Sequence, residues 1–310
     1  MSAEQEGLVE ELHRPARRNY PTRKVRTDTI DDLWQADLVE MIPYANANSG
    51  YKYLLTCIDS FSKSSWAVPT KRKTAEEITS AMASILRSSG RAPRHLQVDG
   101  GSEFYNSEFQ RLMRKHGINL YSSYSVKKAS IVERFNRTLK TAMWKKFSLR
   151  GNYKWTDILE DLLKEYNEKK VHRSIGMTPA EVTHDDVPAI RQRLMREPAG
   201  RLPKAKLKRG DHVRLSKVKS IFEKGYTPNW GTEVFRITKV KSTRPITYEI
   251  EDLNGVPVKG GFYAQELQKT RYKDIYLVEK VIKRDKDRVF VKWLGFSDAH
   301  NSWIKASDIF

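Results

Sequence analysis

From Leu33 onward, the pattern of apolar and polar positions becomes that of β-strands. The stretches "LWQADLVEMI", "YKYLLTCIDSF" and "SWAVPT" predict three β-strands, with "NANSG" (Asn46 to Gly50) as the first turn. The pattern then changes. "TAEEITSAMASILRSSG" predicts a helix, with Thr74 as N-cap, Glu77 placed for a capping box and Gly90 as its stop. "PRHLQVD" predicts a short buried strand, "SEFQRLMRKHG" a helix and "INLYSS" a strand; "ASIVERFNRTLKTAMWKKF" and "WTDILEDLLKEYNEKK" predict two longer helices. Three strands followed by alternating helices and strands imply a mixed α/β sheet with helices on both faces.

The texture changes after "REPAGRLPKAKLKRG" (Arg196 to Gly210), which is rich in proline, glycine and base. "DHVRL", "EVFRITKV" and "TYEIEDLNGVPV" alternate over short spans, with Asn254-Gly255 as a hairpin turn, and predict a small all-β barrel or sandwich of roughly sixty residues. From about Asp274 a third unit reads strand, strand, short helix. "RPARRNYPTRKVR" (Arg14 to Arg26) has six basic residues, two prolines and no acid, so residues 1–30 read as a flexible basic arm. The expected organisation is an arm at 1–30, a core at 31–198, an all-β domain at 199–270 and a small module at 273–310.

Composition narrows the function classes. The net charge is +19, and Arg201 to Phe310 holds 24 Lys and Arg against 13 Asp and Glu, so +11 of it lies in the last third. Counterion release makes such a surface favour polyphosphates, so nucleic acid is the expected partner. No apolar run reaches membrane-span length and the N-terminus lacks a signal-peptide stretch; no membrane partner and a location inside the cell are expected. The single cysteine, Cys57, excludes a disulfide framework or a Cys-based zinc site, so any metal is held by oxygen and nitrogen ligands.

Three acids stand out by setting. Asp37 sits mid-strand among apolar residues, where an unpaired charge is costly. Asp99 ends an apolar run in "VDGGSEF", a pattern that serves either a tight turn or a cation held beside flexible backbone. On the helix after it, Glu133, Asn136, Arg137 and Lys140 follow i, i+3, i+4, i+7 spacing on a strip adjacent to the apolar stripe of Val132, Phe135, Leu139 and Met143. Alone, that strip reads as a solvated helix face. Two further acids at strand positions favour two-metal phosphoryl transfer, in which carboxylates from separate elements converge on Mg²⁺ ions that substrate phosphate completes.

The motifs "WQADLVEM", "VDGGSEF" and "ASIVERFNRTLK", followed by "YNEKKVHRSIGMTPAEV", resemble the catalytic core of retroviral-type integrases, especially those of Maverick/Polinton elements, over about residues 30–185. The resemblance implies an α/β RNase H-like core and a D,D,E triad of Asp37, Asp99 and Glu133 that binds two Mg²⁺ (or Mn²⁺) ions. The last two acids are 34 residues apart (133 minus 99), slightly closer than in the retroviral pattern. Gly100 and Gly101 are expected to let the backbone turn without crowding metal or phosphate. Lys127, Lys128, Asn136, Arg137 and Lys140 are the expected DNA contacts of the core, and His172 is expected to be structural.

The all-β segment resembles the SH3-like C-terminal domain of integrases, with Lys206, Lys208, Arg209, Arg214, Lys217 and Lys219 expected on phosphates. The last stretch resembles a chromodomain, in which Tyr276, Trp293 and Phe296 match a methyl-lysine cage and Trp303 a core tryptophan. A methylated histone tail is therefore a candidate partner beside double-stranded DNA. The expected activity is a transposon-encoded integrase, acting in the nucleus as a homo-oligomer on DNA: it trims DNA ends by metal-assisted hydrolysis and joins them to target DNA. The alternatives are a domesticated, non-catalytic chromatin-binding protein and an RNase H-type nuclease. Integrases of this type usually begin with a His2Cys2 zinc domain that one cysteine cannot supply; the expectation is a truncated or lost domain, and no zinc.

Overall fold

The computed structural model describes residues 3–17, 19–23, 25–122, 130–195, 204–217 and 226–308. The chain divides into two units, one of residues 25–199 and one that joins residues 1–24 to residues 200–310. Helix α1 (Ala3–His13) belongs to the second. No helix among the described residues is long and apolar enough to cross a membrane.

The first unit is built on a five-stranded sheet in which β1 (Leu33–Glu40), β2 (Tyr53–Asp59) and β3 (Ser65–Thr70) run antiparallel, while β4 (His95–Val98) and β5 (Asn119–Ser122) pair parallel, in the order β3-β2-β1-β4-β5. Helices α2 (Ala75–Ser89) and α3 (Ser107–Lys115) cover one face, packing Ile78, Met82, Ile85, Phe109 and Met113 on Trp34, Ala36, Leu55 and Leu96. Helices α4 (Ser130–Arg150) and α5 (Leu159–Lys164) cover the other, packing Val132, Phe135, Leu139, Met143 and Leu162 on Val39, Leu54 and Ile58. Each buried side chain of this kind contributes about 1.5–3 kcal/mol, so burial on both faces holds the sheet. Cys57 is buried in the first of these layers. A short helix, α6 (Val187–Met195), ends the unit's described part and buries Ile190 against Phe61 and Ile175.

Local chemistry sets the ends of α2. The Thr74 hydroxyl accepts the N–H of Glu77 at 3.4 Å, and Gly90 takes a left-handed φ of 63° that ends the helix. The Glu77 carboxylate does not close the expected box on Thr74. It accepts the backbone N–H groups of Lys71 and Arg72 at 2.9 and 2.8 Å, pinning the loop that leads from β3.

In the second unit, β6 (His212–Leu215), β7 (Phe235–Lys241), β8 (Thr247–Asp252), β9 (Pro257–Tyr263) and β10 (Leu267–Lys269) form an antiparallel sheet in the order β10-β6-β7-β8-β9. Among the described residues β10 and β9 remain its edges, so the expected barrel is an open five-stranded sheet. The β8–β9 hairpin turns at Asn254-Gly255 as expected, with Gly255 at φ 84°. A three-stranded sheet follows, β11 (Val278–Asp285), β12 (Arg288–Trp293) and β13 (Ser302–Lys305). The element expected as a short helix is thus strand β13 and one 3-10 turn (Ala306–Asp308), because Trp303 and Lys305 pair with β12.

The N-terminal segment differs most from its expectation. Residues 3–13 form a helix that buries Leu8 and Leu12 against Trp230, with Tyr272, Ile275 and Leu277 packed beside them. Glu11 and Arg214, 3% and 1% exposed, form an ion pair with Nε to Oε1 at 3.2 Å. The backbone N–H groups of Asn229 and Trp230 donate to Leu12 O at 2.9 and 3.1 Å, closing the helix C-terminus. Farther on, the Tyr20 hydroxyl donates to Glu266 at 2.8 Å and the Arg23 N–H to the Tyr263 hydroxyl at 2.8 Å. Arm, β-domain and C-terminal module therefore share one unit, joined by apolar contacts that no arm sequence advertises.

Candidate active site

Strand alternation builds the site. On β1, Trp34, Ala36 and Leu38 face α2 and α3, so Gln35, Asp37 and Val39 face α4. On β4, Leu96 and Val98 take the first direction and Gln97 the second. The register pairs Gln35 with Gln97, so Asp37 and Asp99 each follow two residues beyond a matched glutamine on adjacent parallel strands.

These glutamines do more than fill space. Gln35 is fully buried and its Nε2 donates to Gln97 Oε1 at 2.9 Å. Its Oε1 accepts the N–H groups of Ile131 and Val132, both at 3.0 Å. Those N–H groups are unsatisfied donors of the first turn of α4, the turn that carries Glu133. One buried side chain thus fixes the strand of Asp37, the strand of Asp99 and the helix start of Glu133. The sequence held a signal for this pair in the repeated Gln-x-Asp of "WQAD" and "LQVD".

Asp37 is half-buried, and its Oδ2 accepts from Asn136 Nδ2 at 2.7 Å while its Oδ1 accepts the N–H of Leu38 at 2.8 Å. Burial, with the nearby Asp99 charge, pushes its carboxyl above the usual carboxylate range, against the Leu38 N–H, Asn136 and Lys140, which hold it down. Partial burial and the charges of Asp37 and Asp99 raise the Glu133 carboxyl, against Arg137. The three acids therefore share one repulsive field. The Asn136 Oδ1 is buried with no hydrogen-bond partner.

Hard carboxylate oxygens beside an orphaned amide oxygen suit a divalent cation in donor chemistry. Among the described residues, however, no group of three or more His, Cys, Asp or Glu side chains is drawn together closely enough to hold a metal. An open groove of about 830 Å³ runs along α4 from Asp37 and Glu133, with Arg137, Lys140 and Lys145 on its wall.

Other expected contacts fall differently. Arg137 is exposed and Lys140 half-exposed on the groove, whereas Asn136, 8% exposed, serves Asp37 instead of reaching outward. Lys127, Lys128 and Lys219 lie outside the described residues. Neither Gly100 nor Gly101 adopts a left-handed φ; a Cβ at Gly101 would meet the Glu103 carboxylate at 2.5 Å, so this glycine makes room for a side chain. Beyond it Phe104 anchors the turn, buried 5.5 Å from Phe109. His172 packs on Tyr166 at 4.4 Å, and its Nε2 lies 3.1 Å from Tyr166 O, in keeping with a structural role.

In the second unit Lys206, Lys208, Arg209 and Lys217 are exposed. Arg214 is not a surface cation: it pairs with Glu11 and donates to the carbonyls of Thr232 and Tyr272, which corrects its expected place on phosphate. Tyr276, Trp293 and Phe296 come together, with Tyr276 5.9 Å from Trp293 and 5.5 Å from Phe296. Trp303, expected in a core, is 41% exposed and lies 5.4 Å from Phe290.

Residues 30–128 match the integrase core domain family. That stretch, about a third of the chain, is what resembles the integrase core domain. An uncharacterized transposon-derived protein of Caenorhabditis elegans is 35% identical over 195 residues, which is 63% of this chain and 65% of that protein. The Pol polyprotein of radiation murine leukemia virus (strain Kaplan) is 30% identical over 169 residues, 54% of this chain and 28% of the polyprotein. The chain thus spans just under two thirds of the nematode protein and a smaller part of the viral one. In fold, a chain of the simian T-cell lymphotropic virus intasome in complex with a PP2A regulatory subunit superposes with a TM-score of 0.57 at 20% identity, over 87% of this chain and 91% of that one. The matched residues 30–128 make up the five-stranded mixed sheet of the first unit with α2 and α3, and the groove lies between the first strand of that sheet and α4.

Proposed function

We infer that this protein cuts and joins DNA as a DDE-type polynucleotidyl transferase, encoded by a transposon of the Maverick/Polinton kind. The observation that carries the reading is the placement of Asp37 and Asp99 two residues past a hydrogen-bonded glutamine pair on adjacent strands, with Glu133 on the helix turn that the same pair caps. Asp37, Asp99 and Glu133 would hold two Mg²⁺ or Mn²⁺ ions, which when bound activate the attacking oxygen and stabilise the leaving one. Asn136 orients the Asp37 carboxylate, and Arg137 and Lys140 bind the backbone phosphates of the DNA end. In the first step water attacks phosphorus and the 3′ oxygen leaves, taking up a proton to become a 3′ hydroxyl; in the second that hydroxyl gives up its proton and attacks a target phosphodiester, whose own 3′ oxygen leaves as the new bond forms.

The second unit is read as the partner of this chemistry. Its five-stranded sheet serves as an SH3-like DNA-binding domain through Lys206, Lys208, Arg209 and Lys217, and Tyr276, Trp293 and Phe296 as a chromodomain-type cage for a methylated histone lysine. Such a protein works in the nucleus, and joining two DNA ends takes more than one copy.

A second reading is a chromatin-binding protein that keeps the fold without the chemistry, and the grouping of Tyr276, Trp293 and Phe296 beside the exposed cations of the second unit favours it. Joining of a pre-cleaved DNA end to plasmid in Mg²⁺ or Mn²⁺ decides between them. Wild type should join, and Asp99→Asn and Glu133→Gln should fall to background while still binding duplex. Full joining by Asp99→Asn would sink the triad.

A further inference from the structure

The groove continues past its cations to an aromatic surface that the chemistry above does not use. Trp144 lies on the groove wall and is 39% exposed, although its helix neighbours Met143 and Phe147 are buried. Tyr44 meets it edge-on at 5.7 Å and Phe147 at 5.1 Å with a 54° tilt, so neither ring stacks in parallel on the indole. Tyr153, 52% exposed, lies 4.9 Å from Tyr44.

This surface is held rigid from beneath. Asn48 is fully buried; its Nδ2 donates to the carbonyls of Tyr44 and Tyr153 at 2.7 and 2.9 Å, and its Oδ1 accepts the N–H of Trp155 at 2.7 Å. One amide thus clamps two separate loops so that Tyr44 stands beside Trp144 and Tyr153 beside Tyr44. Keeping an indole and a phenol in water gains the fold nothing, and a preformed exposed aromatic patch marks a binding surface.

Charge selects the occupant. Arg137, Lys140 and Lys145 flank the approach from Glu133, which suits a polyanion with flat apolar faces. In a duplex those faces are covered by neighbouring base pairs, whereas an unpaired strand offers them freely, and base–aromatic stacking is the usual way such strands are held. We propose that Trp144, with Tyr44 beside it and Tyr153 on the far side of Tyr44, stacks unpaired bases of a single-stranded DNA extension whose phosphates lie on Arg137, Lys140 and Lys145. Trp144 follows Glu133 by 11 residues (144 minus 133), about 16 Å along the helix and so about five nucleotides from the reacting phosphate. The proposal rests on the DNA-joining reading for its ligand, yet its test is binding without chemistry, so a failed joining assay leaves it standing.

The experiment compares binding of the full chain to a labelled blunt duplex and to the same duplex with a thymidine extension of about eight nucleotides, long enough to reach past the fifth position. Wild type should bind the tailed duplex about five- to a hundredfold more tightly. Trp144→Ala should lose that difference while keeping its affinity for the blunt duplex, and Trp144→Phe, which preserves a stacking face, should retain most of it. Equal binding of both duplexes by wild type, or an equal loss on both in Trp144→Ala, overturns the proposal. So does a result in which Trp144→Ala leaves both DNA affinities unchanged but abolishes binding of a leucine-rich peptide probe, which would make the patch a protein-docking surface. A thermal unfolding midpoint of Trp144→Ala near that of wild type confirms that the fold is intact.

Discussion

Asp37 occupies a strand position where burial disfavours its charge and the Asp99 carboxylate adds to the cost. A carboxyl raised above its unfolded value lends stability below that unfolded value and loses it as pH rises through the folded one. Near pH 7 the ionised group therefore strains the fold. Asp37→Asn should raise the thermal unfolding midpoint at pH 7, and the advantage should vanish in mild acid, where the wild-type carboxyl takes up its proton. Mg²⁺ at about ten times its Kd should stabilise wild type by about 1.4 kcal/mol, a shift of about 3–6 °C, and leave Asp37→Asn unmoved. A variant that melts lower at every pH would show instead that the Asn136–Asp37 bond outweighs the repulsion. At this scale the sequence spoke clearly for the acids, because a charge amid an apolar run is conspicuous. It spoke faintly for Gln35, since a glutamine on a strand is neutral in character until register brings a partner opposite it.

Elements with strong local patterns were legible for the same reason. The short apolar runs of β1, β2 and β3 and the capped α2 depend on residues near one another in the chain, and they formed where the pattern placed them. Helix α1 was not legible, because its apolar positions, Leu8 and Leu12, are few and its partners lie beyond residue 210. For the same reason Arg214 in "HVRL" resembles an outward-facing strand cation until Glu11 arrives from the other end of the chain. Breaking one side of a buried pair leaves the other charge uncompensated. Glu11→Ala should thus cost about 3–5 kcal/mol in denaturant-induced unfolding of the second unit, whereas Glu6→Ala, on an exposed position of the same helix, should stay within about 0.5 kcal/mol of wild type. Equal effects of the two would mean that the ion pair does not hold α1 in place.

For the molecule as a whole, the +19 charge predicts salt-sensitive DNA binding, and the structure separates cations that reach solvent from one that does not. Lys208→Ala should reduce the slope of log affinity against log salt by about one, while Arg214→Ala should lower stability and leave the slope of the remaining folded protein unchanged. A matching slope change in both would return Arg214 to the phosphate-binding set. The placement of α1 also has a consequence for how the chain is made. Its Leu12 emerges from the ribosome 218 residues before Trp230 (230 minus 12), an interval of about 10–40 s at ordinary rates of synthesis. Throughout it the entire first unit is translated while Leu8 and Leu12 lack Trp230, so α1 is among the last elements to find its place, and it waits as a site that a chaperone can hold.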